Sequence, residues 1–211
     1  MLTIIPAKPF HEAKTRLAPL LSVQERAALS RHLLQRTIKL ARQVGQVAVI
    51  SRDGVVRHLA KQMGAWALVE AGQSLNEALQ QASAWAEAHD NQAILILPGD
   101  LPLLNYTTLT DMMRLGQRSP AIVIAPCRRQ EGTNALLLRP PNLMRFAFGK
   151  GSFAEHMRRA TAAGVEPVIY MSPLLGLDLD LPEDLAQLRQ LREPEANCSR
   201  PAPEDSACIL P

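Results

Sequence analysis

Aromatic residues are scarce in this 211-residue sequence, at 4% of the chain. Proteins that bind single-stranded nucleic acids stack bases on aromatic side chains, so this scarcity argues against such a surface. No apolar run approaches the roughly 20 residues that a membrane-spanning helix needs. The N-terminal segment 1–10 also lacks the charged region and the long apolar run of a secretory signal. We therefore expect a cytoplasmic protein that binds neither nucleic acid nor membrane.

Cysteine is also rare, and its spacing fits neither a zinc site nor a redox motif. Two of the three cysteines lie in segment 193–211, which is polar, rich in proline and without apolar periodicity. Such a composition is typical of disorder. We expect one domain over 1–192, a disordered tail over 193–211, and three reduced thiols: Cys127, Cys198 and Cys208.

Positive charge, in contrast, is concentrated near the N-terminus. Residues 1–62 contain 11 Lys and Arg against three acids, whereas the rest of the chain contains 12 bases and 17 acids. Lys8, Lys14 and Arg16 lie within nine residues, in IPAKPFHEAKTRLAPL (5–20), and would repel one another unless an anion lay among them. A solvated loop explains them equally well. Because the loop lacks the glycines of the common phosphate-binding motifs, any phosphate here would be neutralised by side chains.

Short apolar runs alternate with helical patterns from residue 2 to residue 192. The run AILILP (93–98) has no polar position, which is typical of a strand covered on both faces of a sheet. The alternation predicts an α/β fold: a single Rossmann-like domain with a mainly parallel central sheet flanked by helices. Strands are predicted at 2–5, 46–51, 65–70, 93–98, 121–126, 134–139 and 165–171, and helices at 23–44, 53–64, 74–88, 106–116, 152–163 and 182–192.

Acidic residues stand where ligands of such sheets bind, beyond the carboxyl ends of the strands. Asp100 follows a buried run in LILPGDLPLL (95–104). Asp178 and Asp180 are two apart, so both face the same side of an extended segment, which is unfavourable unless a cation lies between them. Carboxylates of this kind suit Mg²⁺. Alternatively, Asp100 caps a turn, and Asp180 forms a helix cap with Glu183.

A glycine-rich turn opens the helix predicted at 152–163. Gly149 and Gly151 bracket Lys150, and Ser152 begins the helix, with Glu155 placed to complete a capping box. Free N–H groups at a helix N-terminus bind anions, and glycines let the backbone approach a ligand. Equally, the glycines form an ordinary turn. His156, one turn further on, either contacts the ligand or packs within the protein.

Six motifs occur along the chain: IPAKPFHEAKTRLAP, LN-x-AL (75–79), GDLPLL, GTNALLL, FGKGSF-x-x-H and LDLDLPEDL. Together they resemble the CofC/FbiD family, the guanylyltransferases of coenzyme F420 biosynthesis within the MobA-like nucleotidyltransferase group. The resemblance runs from residue 1 to 192. It implies transfer of GMP from GTP to a phosphorylated three-carbon acid (phosphoenolpyruvate, 2-phospho-L-lactate or 3-phospho-D-glycerate) with release of pyrophosphate.

The resemblance also implies roles for particular residues. An acceptor phosphate is already ionised at neutral pH, so catalysis needs positioning and charge neutralisation rather than a general base. The implied catalytic residues are Lys14, Arg16 and Asp100. The implied ligands are Lys8, Lys14, Arg16, Leu75 and Asn76 for the nucleotide, Thr133, Gly149 and Ser152 for the acceptor, and Asp100, Asp178 and Asp180 for Mg²⁺.

Other functions stay open at this point. One is a MobA-like or sugar-phosphate nucleotidyltransferase with another acceptor, or a glycosyltransferase that uses Asp178-x-Asp180 to bind metal; the GTNALLL motif and the absence of a glycine-rich opening loop count against these. A different class is a regulator that binds nucleotide without turning it over. The sequence also leaves open whether the chain forms a homodimer.

Overall fold

The computed structural model describes residues 1–197, which form a seven-stranded sheet with helices on both faces. The strands are β1 (Leu2–Pro6), β2 (Gln46–Ser51), β3 (Trp66–Val69), β4 (Ile94–Ile96), β5 (Ala121–Pro126), β6 (Thr133–Arg139) and β7 (Val168–Ile169). The α-helices are α1 (Val23–Ala41), α2 (Gly54–Gln62), α3 (Leu75–Ala88), α4 (Tyr106–Leu115), α5 (Ser152–Ala162), α6 (Pro173–Gly176) and α7 (Pro182–Asn197); Phe10–Glu12 and Thr15–Leu17 form 3₁₀ turns.

The sheet is mainly parallel, as predicted. Its strand order is β3-β2-β1-β4-β6-β5-β7, and β6 alone among the described strands runs antiparallel to its neighbours β4 and β5. The segment 127–132 that joins β5 to β6 is too short for a crossover, so the two strands can only pair as a hairpin. Because β1, β4 and β5 point the same way, the segments that follow them meet at one edge of the sheet.

Both faces of the sheet are buried, which explains the uninterrupted apolar runs. Ile5 and Leu95 pack against α1, α2 and α4, whereas Ile4, Ile94 and Ile96 pack on the opposite face against α3 and α5. All five side chains are fully buried. A parallel strand covered on both faces is therefore expected to be nearly continuous in apolar residues.

Several predicted boundaries differ from the structure. The strand predicted at 165–171 is reduced to Val168–Ile169, which lies at the edge of the sheet. These two residues pair only with β5 and are half-exposed, so little packing supports a longer strand. Helix α7 continues to Asn197, through part of the predicted tail, because an established helix can extend without an apolar face. The rest of the tail, 198–211, lies outside the described residues, as do Cys198 and Cys208. Cys127 is a free thiol.

No helix within the described residues 1–197 is long and apolar enough to cross a membrane.

Candidate active site

Lys14 joins the acidic segments that follow different strands. Its Nζ lies 2.8 Å from Oδ2 of Asp100, which follows β4, and 2.9 Å from Oδ1 of Asp180, which precedes α7. The Lys14 backbone is left-handed, with φ of 56°, and begins the second 3₁₀ turn. Its side chain is only 6% exposed. The Asp100 carboxylate is therefore engaged by a cation across the sheet edge.

The ammonium of Lys14 is stabilised in its charged form. Burial by itself lowers the pKa of Lys14, but the charges and hydrogen bonds of Asp100 and Asp180 outweigh it, so the pKa is raised. The charge at this position is fixed at neutral pH, and it stands at the junction of the two carboxylates.

Asp178 and Asp180 face the same way, as the alternation predicted. Leu177 and Leu179 point into a small apolar cluster with Leu33 and Leu188, which leaves the two carboxylates on the other side of the segment. The Leu179 N–H donates to the Asp100 carbonyl oxygen at 3.1 Å and holds the segment beside the end of β4.

Asp178 has no cation partner among residues 1–191. Burial, and then the charge of Asp100, raises the pKa of Asp178, with smaller contributions from Asp180 and Asp184. Like-charged carboxylates gathered in a partly buried site favour a bound cation.

The carboxylates fit a hard divalent cation by their chemistry. Oxygen ligands from Asp are what Mg²⁺ prefers. In the part of the chain that the structure describes, however, no three acidic, His or Cys side chains are close enough to hold a metal as they stand. Nζ of Lys14 lies between Asp100 and Asp180 instead. Metal binding at these residues would require Lys14 to move aside.

The alternative in which Asp180 forms a helix cap with Glu183 is wrong. Oδ2 of Asp184 accepts the N–H groups of Asp180 and Leu181, at 3.1 and 2.7 Å, and Oδ1 of Asp184 accepts from Arg128 at 2.8 Å. Asp184 therefore takes the capping role from inside the helix and leaves the Asp180 carboxylate free to bind Lys14.

Two cavities meet at Asp180. The larger, about 590 Å³, is lined by the opening loop with Lys8 and Lys14, by Asp100, and by the start of α3 with Leu75. The smaller, about 500 Å³, is lined by basic and acidic side chains in equal number. The bases are Arg16, Arg128, Arg129 and Lys150, and the acids are Glu131, Asp178, Asp180 and Asp184. Arg128 is paired with Asp184, which leaves the other three bases without a salt-bridge partner among the described residues.

The predicted basic loop is thus divided between two cavities. Lys8 and Lys14 line the larger one, whereas Arg16, predicted to act with them on the nucleotide, lines the smaller one. Sequence analysis missed Arg128 and Arg129. Their signal was their place directly after a strand whose carboxyl end shares this edge of the sheet.

Ser152 does not form the predicted capping box with Glu155, which is a correction. Its Oγ accepts the N–H of Thr133 on β6 at 2.9 Å, while Glu155 pairs with Arg158 and Arg159. The N-cap is Gly151, with φ of 71°, a conformation that glycine adopts without strain. The predicted Ser–Glu pattern was outweighed by a contact between residues 19 apart in the chain.

The N-terminus of α5 offers fewer free N–H groups than the sequence suggested. The N–H of Ser152 donates to the Gly149 carbonyl and that of Phe153 to the Glu131 carbonyl, at 3.2 and 3.3 Å. Gly149 has φ of 135°, and an added Cβ would meet nothing within 4 Å, so backbone conformation rather than space requires glycine there. An anion at this turn would depend largely on side-chain donors.

Asn76 joins the start of α3 to the loop that precedes Gly149. Its amide nitrogen donates to the Phe148 carbonyl at 3.0 Å, and its amide oxygen accepts the Phe148 N–H at 2.8 Å. It thereby ties the start of α3, where Leu75 lines the larger cavity, to the loop that contains Gly149. Its predicted contact with the base or ribose stays a prediction.

His156 is fully buried, which settles the alternatives left by the sequence in favour of packing within the protein. The N–H of Ala147 donates to its Nε2 at 3.0 Å, and its Nδ1 lies 2.9 Å from Oγ1 of Thr133. Burial, with a further contribution from the charge of Arg159, lowers the pKa of His156 to about 4. The ring is therefore neutral at physiological pH.

Acidification is expected to destabilise the protein through His156. The native pKa of about 4 lies below the ordinary value of 6.5, so the stability that the neutral ring contributes is present above pH 6.5 and is lost as pH falls toward 4. At pH 5 the loss from this group amounts to about 2 kcal/mol. Urea unfolding at pH 7 and pH 5 measures it. The decrease should be smaller in His156→Asn, and an equal decrease in both proteins would contradict the assignment.

Comparison with known proteins relates this chain to one family of guanylyltransferases. Residues 1–191 match the family described as "Guanylyl transferase CofC like". The chain is 38% identical over 190 residues to the phosphoenolpyruvate guanylyltransferase of Rubrobacter xylanophilus, covering 89% of this chain and 93% of that protein. It is also 38% identical over 186 residues to the 2-phospho-L-lactate guanylyltransferase of Methanothermobacter thermautotrophicus, covering 88% of this chain and 82% of the relative.

Solved structures share the fold at low sequence identity. A protein from Desulfovibrio desulfuricans G20 described as a nucleotide-diphospho-sugar transferase aligns with a TM-score of 0.73 at 18% identity, over 91% of this chain and 87% of its own. A 4-diphosphocytidyl-2C-methyl-D-erythritol synthase aligns with a TM-score of 0.62 at 14% identity, over 90% and 97%. These likenesses establish a Rossmann-like α/β architecture for this chain.

Proposed function

This chain belongs to the CofC-like guanylyl transferase family and is a nucleotidyltransferase; from that premise we propose that it transfers GMP from GTP to a phosphorylated three-carbon acid, in coenzyme F420 biosynthesis. The candidate acids are phosphoenolpyruvate, 2-phospho-L-lactate and 3-phospho-D-glycerate. The observation that carries the proposal is the pair of cavities that meet at Asp180. Arg16, Arg129 and Lys150 line the smaller cavity without a salt-bridge partner among the described residues, which suits a ligand with a phosphate and a carboxylate.

GTP is assigned to the larger cavity and the acid to the smaller one. Lys8 and Lys14 would contact the triphosphate, with the base or ribose near Leu75 and Asn76. Thr133, Gly149 and Ser152 would hold the acid. This assignment places the reacting phosphates at the junction of the cavities, beside Asp100, Asp178 and Asp180.

The reaction is a displacement at the α-phosphorus of GTP. An oxygen of the acceptor phosphate forms the new P–O bond, and the bond to the β-phosphate breaks with its electron pair leaving on pyrophosphate. No proton is transferred, which agrees with a site that lacks an accessible histidine among the residues described here. The principal barrier is repulsion between two anions, and it falls when fixed cations neutralise them.

Asp100, Asp178 and Asp180 are the residues we assign to Mg²⁺. When bound, the ion would supply Lewis-acid neutralisation of the phosphates. Lys14 would then exchange its two carboxylate partners for phosphate oxygens. Arg16, on the wall of the smaller cavity, would neutralise the attacking phosphate.

The test is pyrophosphate release by the purified protein with GTP and Mg²⁺, with each acid in turn and with no acid. Turnover that requires one of the acids supports the proposal and identifies the substrate. Parallel reactions with ATP, CTP and UTP test the preference for guanine. Binding of GTP without turnover of any acid, by a folded protein, would favour a nucleotide-binding regulator or another acceptor.

The division of the basic loop makes a separate prediction. Lys8→Ala is expected to raise KM for GTP about 10-fold, and Arg16→Ala to raise KM for the acid about 10-fold, because a hydrogen bond to a charged group contributes roughly 1.5 kcal/mol. Both side chains are exposed, so each substitution should leave the fold intact and serves as the other's control. Steady-state kinetics with each substrate varied in turn would measure both constants. A rise in KM for GTP alone in both variants would contradict the division.

A further inference from the structure

The hydrogen bonds of His156 determine where its ring proton lies. The Ala147 N–H can only donate, so Nε2, 3.0 Å away, must be unprotonated and accept. A neutral ring then carries its proton on Nδ1, and the partner of that nitrogen is Oγ1 of Thr133, at 2.9 Å. Burial favours the neutral ring. Thr133 therefore accepts a hydrogen bond from His156.

A hydroxyl that accepts from the protein still has its own proton to donate. Among the described residues, no acceptor lies within hydrogen-bonding distance of that Thr133 proton. Thr133 follows Gly132, which lines the smaller cavity, and the residue is 7% exposed. An unused O–H donor in such a place is unfavourable unless a ligand or water accepts it.

Ser152 repeats this arrangement. Its Oγ accepts the N–H of Thr133 at 2.9 Å, and it too has no acceptor among residues 1–197 for its own proton. The first two N–H groups of α5 are used by backbone carbonyls. Both hydroxyls thus accept hydrogen bonds from the protein and keep a proton to donate. Both residues are buried, and each follows a glycine, Gly132 or Gly151, that lines the smaller cavity.

We propose that His156 is a positioning residue, which by holding its proton on Nδ1 makes Thr133 donate, together with Ser152, to an ionised oxygen of the acceptor acid. This inference rests on the proposed function, in particular on the acid binding in the smaller cavity. His156 itself does not touch the substrate. Its contribution is to select an oxygen that accepts two hydrogen bonds, as a phosphate or carboxylate oxygen does and a protonated or alkylated one does poorly.

The tautomer can be measured without any substrate. The ring nitrogens of ¹⁵N-labelled histidine give separate signals, and the expected spectrum at pH 7 shows a protonated Nδ1 and an unprotonated Nε2 for the buried ring. His156→Gln assigns the signals by their loss. A proton on Nε2, or on both nitrogens, at pH 7 would overturn the inference.

A double-mutant cycle tests the connection to the substrate. Thr133→Val is expected to raise KM for the acid about 10-fold without changing KM for GTP, because it removes the donated hydrogen bond. His156→Phe should raise the same KM by a smaller factor, because the Thr133 hydroxyl remains but is no longer held in the donating orientation. Combining them should raise KM no further than Thr133→Val does alone. His156→Asn, whose amide nitrogen can replace Nδ1, should restore part of the affinity, which a purely structural role would not predict.

The outcomes separate the inference from the function on which it rests. If His156→Phe raises KM equally with and without the Thr133 hydroxyl, the histidine acts through packing, and the inference is wrong. If Thr133→Val leaves KM for the acid unchanged, the assignment of the acid to this cavity is wrong. Turnover with none of the acids would contradict the proposed function, whereas the ring signals of the wild-type protein decide the tautomer by themselves.

Discussion

Asp178→Asn is expected to lower kcat at least about 100-fold while leaving the metal-free protein as stable as the wild type, or more stable. The loss of activity follows from the proposal that Asp178 holds Mg²⁺ at the reacting phosphates. Unchanged or increased stability follows from its raised pKa, which means that the folded protein disfavours the carboxylate. Activity and stability should therefore change independently or in opposite directions.

The pH dependence of stability distinguishes the specific effect of Asp178→Asn from a general disruption of the fold. Because the native pKa of Asp178 is raised above its ordinary value of 3.8, its carboxylate destabilises the fold increasingly as pH rises from 3.8 through the native pKa. Asparagine removes that effect. In urea unfolding with EDTA, the free energy of unfolding of the variant relative to that of the wild type should be higher at pH 7 than at pH 4.

Asp90→Asn is the matched control for Asp178→Asn. Asp90 is exposed, lies before β4 and therefore at the opposite edge of the sheet, and has φ of 59°, which asparagine tolerates. Its pyrophosphate release should equal that of the wild type. Near-normal turnover in Asp178→Asn would contradict the metal assignment, and a large loss of its stability in EDTA would contradict the interpretation of its pKa.

Lys14→Met is expected to reduce kcat by a factor on the order of 100 to 1,000, since removing one fixed group that stabilises the transition state has effects of that size. It should also lower the free energy of unfolding by about 2 kcal/mol, because Asp100 and Asp180 lose a hydrogen-bonded cation. The raised pKa of Lys14 means that its stabilisation is fully present below pH 10.5 and is lost only as pH rises through the native pKa.

Added Mg²⁺ should partly restore the stability of this variant. If the ion and the ammonium compete for Asp100 and Asp180, Mg²⁺ will raise the Tm of Lys14→Met more than that of the wild type. Lys8→Met is the control, because it removes an exposed cation of the same loop and leaves the Lys14 contacts intact. An equal effect of Mg²⁺ on wild type and Lys14→Met would show that the carboxylates are not shared between the two cations.

Much of the framework was predictable because it depends on local patterns. The strands were recognisable from continuous apolar runs that need cover on both faces. The common orientation of Asp178 and Asp180 followed from their alternation with Leu177 and Leu179. Ser22 and Glu25 form a capping box at the start of α1, as the local Ser-x-x-Glu pattern indicates.

The contacts within the site were not predictable, because they join distant parts of the chain. The sequence of Ser152 and Glu155 is that of a capping box, and only the position of β6 gives the serine a different partner. Lys14 and Asp180 are 166 residues apart, so no spacing rule relates them. Arg16 separates from Lys8 because a 3₁₀ turn after Lys14 redirects the loop toward the other cavity.

The paired hydrogen bonds between Asn76 and Phe148 affect how mutational data on this enzyme are interpreted. Asn76 lies next to a residue of the larger cavity, yet its amide holds the backbone beside Gly149, which lines the smaller one. A defect in an Asn76 variant therefore has two explanations: a lost contact at the proposed nucleotide site, or a displaced loop at the proposed acceptor site. Mutagenesis that aims to assign residues to one substrate or the other should begin with side chains that line a single cavity, such as Leu75 and Lys150.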